Sequence, residues 1–365
     1  MFRGKVVPGR KINKQFTMKE KHLVQFGKMV AAFEEVLMGF PDLLSITYYR
    51  FAGFNVRIRC VGRKLSTMHE RVFKHLMQEE VNISEKNFDL TVDLWDQRET
   101  KLPCPVDLIS EESKKLRTVT ASLDSRIVAD QDMDTSLFLD RKNKRIIASF
   151  LSAGKMNNYD LSKPFNRLLA LWFRDMNVEV IHSSMISKNR KGVLFFGEGG
   201  SGKTTSALSC LNDGFNYLGD DHIGLTEIGD TFVGHSLFAS ALIYKNHFKQ
   251  FPQLQKFELQ ENMQNDEKSI IYFSNRYLNK IGNYAEIAVL LLPKVVDSKH
   301  TDFRKAGKVE TLLAVAPSSL RLQISPNKKG FETIYQLVDR TPSYRIYIGK
   351  DLDEIPTCVN EIINL

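Results

Sequence analysis

The chain has 365 residues, 42% of them apolar and 26% charged, which is long enough for two cores and has the composition of a globular protein. Its formal charge of +8 is concentrated in residues 1–30, where eight Lys or Arg stand against Glu20 alone, so the remainder is close to neutral. No apolar run approaches the roughly eighteen residues of a membrane-spanning helix, and Cys60, Cys104, Cys210 and Cys358 form no C-x-x-C pair; membrane helices, zinc ribbons and a disulfide framework are thereby excluded.

Residues 1–28 are expected to form a basic, flexible arm carrying Arg3, Lys5, Arg10, Lys11, Lys14, Lys19, Lys21 and Lys28. It has neither the apolar core of a secretory signal nor the serine content of a transit peptide, and no nucleic-acid role is assigned to it. With reduced thiols, the expectation is a soluble, cytoplasmic protein.

Beyond the arm, Val30, Phe33, Val36 and Leu37 recur at helical spacing. Residues 46–51 and 55–59 read as two strands about Gly53, with Val56, Ile58 and Cys60 alternating with Arg57 and Arg59. A helix is predicted over 68–77, then a strand over 88–96 in which Leu90, Val92 and Leu94 share a face and Trp95 belongs to the core. Short strands are predicted at 136–139 and 145–150, which makes residues 29–160 an α+β region. Ser162 is expected to cap a helix with Pro164 in its first turn and Phe165, Leu168, Leu169 and Trp172 as its buried stripe. From residue 178 the pattern becomes alternating α/β, with strands at 178–181, 192–196, 217–218, 287–292 and 345–348 and helices at 203–213, 306–315, 331–339 and 355–363. Residues 161–365 are thus expected to form one α/β domain.

The strongest signal is Gly197-Glu198-Gly199-Gly200-Ser201-Gly202-Lys203-Thr204, which matches G-x-x-x-x-G-K-[ST] between an apolar strand and a helix, with Thr205 following. Glycines at 197, 199, 200 and 202 let the backbone curl so that its N–H groups point at phosphate oxygens. Lys203 would reach the β and γ phosphates, Thr204 can ligate magnesium, and the helix aims its positive end at the anion. The base-reading N-K-x-D of GTPases is missing, because Ile281 and Gly282 follow Asn279 and Lys280.

Sixteen positions past Thr204, Asp220 and Asp221 stand at the C-terminal edge of a predicted strand, where ligands of open α/β sheets gather. Two carboxylates there can divide metal binding from proton acceptance. His182 closes the strand at 178–181. Lys245 and Arg276 are further candidates to neutralise charge on a transferred group.

These pieces in this order, Ile181-His-Ser-Ser, the glycine loop and Gly219-Asp-Asp, resemble the HPr kinase catalytic domain and its relatives, whose fold is related to that of phosphoenolpyruvate carboxykinase. Softer likeness to HPr-kinase-like proteins of biosynthetic clusters runs through residues 49–53, 89–96 and 340–356. The resemblance implies a P-loop kinase domain using ATP and Mg2+, with Asp220 as the base toward a hydroxyl acceptor, Asp221 and Thr204 holding the metal, and His182 steadying the phosphoryl group. Thr205 replaces the usual glutamate after the loop, and no Arg-Gly-Leu-Gly segment lies between Ile223 and Lys249. Phosphorylation of HPr itself is therefore not expected, whereas a serine of a peptide or protein, or a small molecule, is. No membrane span or nucleic-acid partner is expected, and homo-oligomerisation is left open. A regulatory ATPase without an acceptor is the competing reading; carboxykinase chemistry would need an arginine cluster that the sequence does not display.

Overall fold

The computed structural model describes residues 18–79, 88–211, 213–245, 259–260, 268–273, 277–321 and 328–365, and the architecture over them is mixed α/β. Helix α1 (Met18–Gly39) sets Phe26, Met29, Phe33 and Val36 at spacings of three and four, giving one buried stripe. It begins well before the expected start near Met29. Residues 18–28 of the expected arm are therefore helical, with His22, Gln25 and Phe26 buried and Lys28 on the outer face; residues 1–17 lie outside the described residues.

The first sheet begins with the hairpin of β1 (Leu44–Phe51) and β2 (Phe54–Val61), turned through left-handed Ala52 and Gly53. Helix α2 (Arg63–Phe73), β3 (Met77–Gln78), β4 (Leu90–Asp96) and the short α3 (Gln97–Thr100) follow, then β5 (Thr118–Ala121), β6 (Ile127–Gln131), β7 (Thr135–Asp140) and β8 (Arg145–Phe150). Their order is β3-β1-β2-β4-β8-β7-β6-β5, parallel only at β2/β4 and β4/β8. Alternation along β4 sends Leu90, Val92 and Leu94 to one core and Trp95 to another beneath α1. Asp93 shares the α1 face and is fully buried; the guanidinium groups of Arg59 (2.7 Å) and Arg145 (2.6 Å) hold it there.

Two short elements lead to the second sheet. Helix α4 (Asn158–Ser162) precedes α5 (Asn166–Asp175), and Ser162 is the last residue of α4 rather than the cap of α5. Its hydroxyl donates to the Tyr159 carbonyl, and left-handed Phe165 stands at the α5 entry. The expected stripe of α5 is buried, and it joins Tyr49, Phe51 and Phe73 from the first sheet with Phe238, Leu242 and Ile270 in one continuous core.

The second sheet runs β12 (Asn216–Gly219), β10 (Ser184–Lys188), β11 (Lys191–Phe195), β18 (Tyr284–Val295), β14 (Thr231–Ser236), β13 (Ile223–Ile228) and β9 (Glu179–Ile181), with β20 (Ser343–Ile348) also on β18 and β19 (Asp302–Lys305) on β20. The long β18 is parallel to β11 and, further along, to β20, so three parallel strands end at one edge. Helix α6 (Lys203–Cys210) follows β11; α7 (Lys308–Arg321), α8 (Lys328–Arg340) and α9 (Glu354–Ile363) complete the layers. A smaller sheet of β15 (Ser240–Tyr244), β17 (Lys268–Tyr272) and β16 (Leu259–Gln260) leans over the same edge. Met185 of β10 lies in a trench left by small residues: a Cβ on Gly192 would come within 2.6 Å of its Cε, and one on Gly234 within 2.7 Å.

Candidate active site

Phe195 ends β11 and the chain turns at once into the glycine loop. Gly197, Gly200 and Gly202 take φ of 154°, 82° and 104°, whereas Gly199, expected with them, does not. At Gly202 a side chain is excluded twice over, since its Cβ would lie 2.7 Å from Ile348 Cδ1 on β20. Lys203, the first residue of α6, bends back so that its Nζ donates to the carbonyls of Gly197 (2.8 Å) and Glu198 (3.2 Å). The loop thus closes around its own ammonium group. Burial pushes Lys203 below the ordinary lysine value, against the pull of Asp220 and Asp221. Ser201 Oγ is buried without a partner among the described residues.

Strand β12 runs antiparallel to β10, which is antiparallel to β11, so β12 ends at the same edge as the loop and delivers Asp220 beside it. Asp220 is 1% exposed. Thr204 Oγ1 donates to both of its oxygens, at 3.0 and 3.1 Å, and Ser184 Oγ donates to Oδ1. Burial first, then the neighbouring charge of Asp221, raises the Asp220 carboxyl above its ordinary value.

Asp221 has a left-handed backbone, φ 65°, which directs its side chain away from that of Asp220. Its Oδ1 meets His182 Nε2 at 3.2 Å, and the His182 backbone N–H donates to Ser319 Oγ of α7 at 3.2 Å. Burial works to raise this carboxyl, but the hydrogen bond from His182 and the positive charge of Lys163 outweigh it and hold Asp221 below the usual carboxylate range. The arrangement separates the two acids chemically: one is buried against the loop threonine, the other ionised and turned to the cavity.

That cavity, of about 630 Å³, has the loop residues Gly199, Gly200, Gly202, Lys203, Thr204 and Thr205 as its floor. Val295, Ile348 and Leu352 give it apolar wall, beside Lys350, which pairs with Asp297 at 2.6 Å. His182, Asp221, Leu242, Tyr244 and Lys268 line it as well. The residues suit a nucleoside triphosphate with magnesium. Left-handed glycines and a helix N-terminus can cradle phosphates, Lys203 can exchange carbonyl oxygens for phosphate oxygens, and the Thr204 hydroxyl with a carboxylate supplies hard oxygen ligands.

Sequence reasoning brought Lys203, Thr204, Asp220, Asp221 and His182 to one place, and the structure joins them. It pairs them differently from expectation: the Thr204 hydroxyl is bonded to Asp220, not to Asp221. The reason is the backbone reversal at Asp221, which no motif displays. Lys245 follows β15 but is not in the cavity wall, to which β17 contributes Lys268; Arg276 lies outside the described residues. Sequence reading also missed Lys163, a fully buried lysine between α4 and α5, and Ser184, although the latter stands within the Ile181-His-Ser-Ser segment.

No family model and no curated protein matches the chain. Among solved structures it is similar to one described as the HPr(Ser) kinase/phosphatase from Coxiella burnetii, at 12% identity and a TM-score of 0.27, over 51% of this chain and 94% of that one. No helix among the described residues is long and apolar enough to cross a membrane.

Proposed function

We propose that this protein is an ATP-dependent kinase that transfers a phosphoryl group to a hydroxyl acceptor. The observation that carries the reading is the convergence, around one cavity, of a lysine-bearing glycine loop, a threonine–aspartate contact and an ionised aspartate paired with a histidine. Residues 197–205 would hold the phosphates, with Lys203 neutralising charge on the transferred group and Lys268, from the same cavity wall, as a second cation. Thr204 and Asp220 would hold magnesium, which supplies charge neutralisation on the phosphates when bound.

Asp221, facing the cavity, would accept the proton of the acceptor hydroxyl, oriented by His182. This assigns the two aspartates the reverse of the roles drawn from family resemblance. A low basicity at Asp221 suits the chemistry, because a loose phosphoryl-transfer transition state asks for alignment more than for proton abstraction. An acceptor lying against Leu242, Ile243 and Tyr244 would be a hydroxyl carried on a partly apolar body.

Calorimetry with Mg-ATP tests the reading. Wild-type protein should bind, and Lys203→Ala should lose at least ten-fold in affinity while its circular dichroism is unchanged. Undiminished affinity in that variant would remove the loop from nucleotide binding and the kinase assignment with it.

A further inference from the structure

Lys163 lies between α4 and α5 and is fully buried, an environment that an ammonium group enters only with compensation. Its Nζ donates to the Ser240 carbonyl at 3.3 Å and to Ser240 Oγ at 3.2 Å, and it sits 5.8 Å from the centre of the Phe238 ring. No carboxylate is within ion-pair distance of it among the described residues. Two neutral oxygens and a ring face are poor payment for a buried charge, so the compensation must come from beyond direct contact.

The source is the acid pair. Phe238, whose ring faces the ammonium group, also packs against His222, the residue after Asp221, at 5.8 Å. Burial pushes Lys163 below the ordinary lysine value, the fields of Asp221 and Asp220 oppose that shift, and its charge in turn acts on both of them. The scaffold that fixes this relation is a chain of hydrogen bonds. Ser240 Oγ donates to the Ser162 carbonyl at 2.6 Å, so β15 is tied to the residue before Lys163. Tyr217 Oη donates to the Ser240 carbonyl at 3.0 Å, so the same residue is tied to β12, the strand that delivers Asp220. One serine therefore holds the ammonium group and the acid-bearing strand in a fixed relation.

We propose that Lys163 is a positioning residue, an internal counter-cation that balances Asp220 and Asp221 and sets how strongly the site draws a divalent cation. The inference rests on the kinase reading above and deepens it. Two adjacent carboxylates in a buried site repel one another; a fixed ammonium group nearby offsets that repulsion before metal arrives and weakens the attraction for metal afterwards. The metal is thereby held loosely enough to leave with the product nucleotide.

The test uses full-length protein, adenylyl imidodiphosphate and Mn2+ titrated at pH 8, followed by electron paramagnetic resonance. Lys163→Met should bind Mn2+ at least five-fold more tightly than wild type, and Lys163→Arg within two-fold of it. A residue that only filled space would leave metal affinity unmoved or weakened, and that result in a natively folded Lys163→Met protein overturns the proposal. Should Lys163→Met fail to fold without metal, adding Asp220→Asn to the same chain restores charge balance, and the double variant should fold with a higher thermal midpoint than the single one. A double variant no more stable than the single one also overturns it. Absence of Mn2+–nucleotide binding in wild type would instead refute the kinase reading itself.

Discussion

Asp220 and Asp221 are consecutive, yet they touch different neighbours because the left-handed residue turns their side chains apart. Their losses should therefore be distinguishable. Asp221→Asn keeps the shape and removes the charge, so transfer to a hydroxyl acceptor should fall by ~10²–10⁴-fold while nucleotide affinity holds. Asp220→Asn should raise the magnesium concentration needed for half-maximal turnover, with part of the rate recovered at high metal. A transfer assay on both variants across a magnesium titration decides the matter. Metal rescue of Asp221→Asn and none of Asp220→Asn would return the roles to the order that family resemblance implied.

Among the elements, the unit of β11, glycine loop and α6 was the most legible, because its signal is local: an apolar strand, glycines at fixed offsets and a lysine opening a helix. Strands β13, β14, β15 and β17 were not singled out. β13 and β14 form a hairpin with each other, yet their outer partners β9 and β18 lie far along the chain, and β15 in particular is defined by the register Ser240↔Tyr272 and by the cavity it walls. Lys163 was illegible for the same reason. In sequence it is a lysine before a proline, and only the fold surrounds it with Ser240 and Phe238. Helix α1 shows the opposite error, in which charge masked periodicity. Its lysines suggested an arm, but Phe26 and Met29 extend the buried stripe already visible in Phe33 and Val36. Deleting residues 1–17 should leave nucleotide turnover within a few-fold of the full chain. Deleting residues 1–28 should lower stability by on the order of 3 kcal/mol or more through loss of the buried Phe26 contacts. Equal urea midpoints for the two truncations would show that this turn of the helix contributes nothing.

At the scale of the molecule, the two large sheets share a core through α5, and Arg117 ties β6 to α4 through Asp130 (2.8 Å) and Asp160 (2.5 Å). Their stability should respond to pH as one unit. Burial pushes His69 down to about 4 and His75 and His222 down to about 3, so all three are neutral when folded and titrate near the ordinary value of 6.5 when unfolded. The folded state then binds fewer protons. Their contribution is intact above pH 6.5 and is lost as pH falls from 6.5 toward 4, at up to about 1.4 kcal/mol per residue per pH unit. Urea midpoints should decline steadily between pH 7 and 5, with a shallower slope in His75→Gln; a flat profile over that range would contradict the burial of neutral imidazoles.

The trench across the second sheet has its own consequence for the lifetime of the protein. Met185 is fully buried, so an oxidant cannot reach its sulfur while the chain is folded. If the chain opens in the presence of peroxide, sulfoxide formation adds a polar oxygen to a side chain already in contact with Gly192 and Gly234, with no room to receive it. Until the sulfoxide is reduced, one modified atom would keep the chain from refolding, and past exposure to oxidant would be recorded in the fraction of chains that no longer close around Met185.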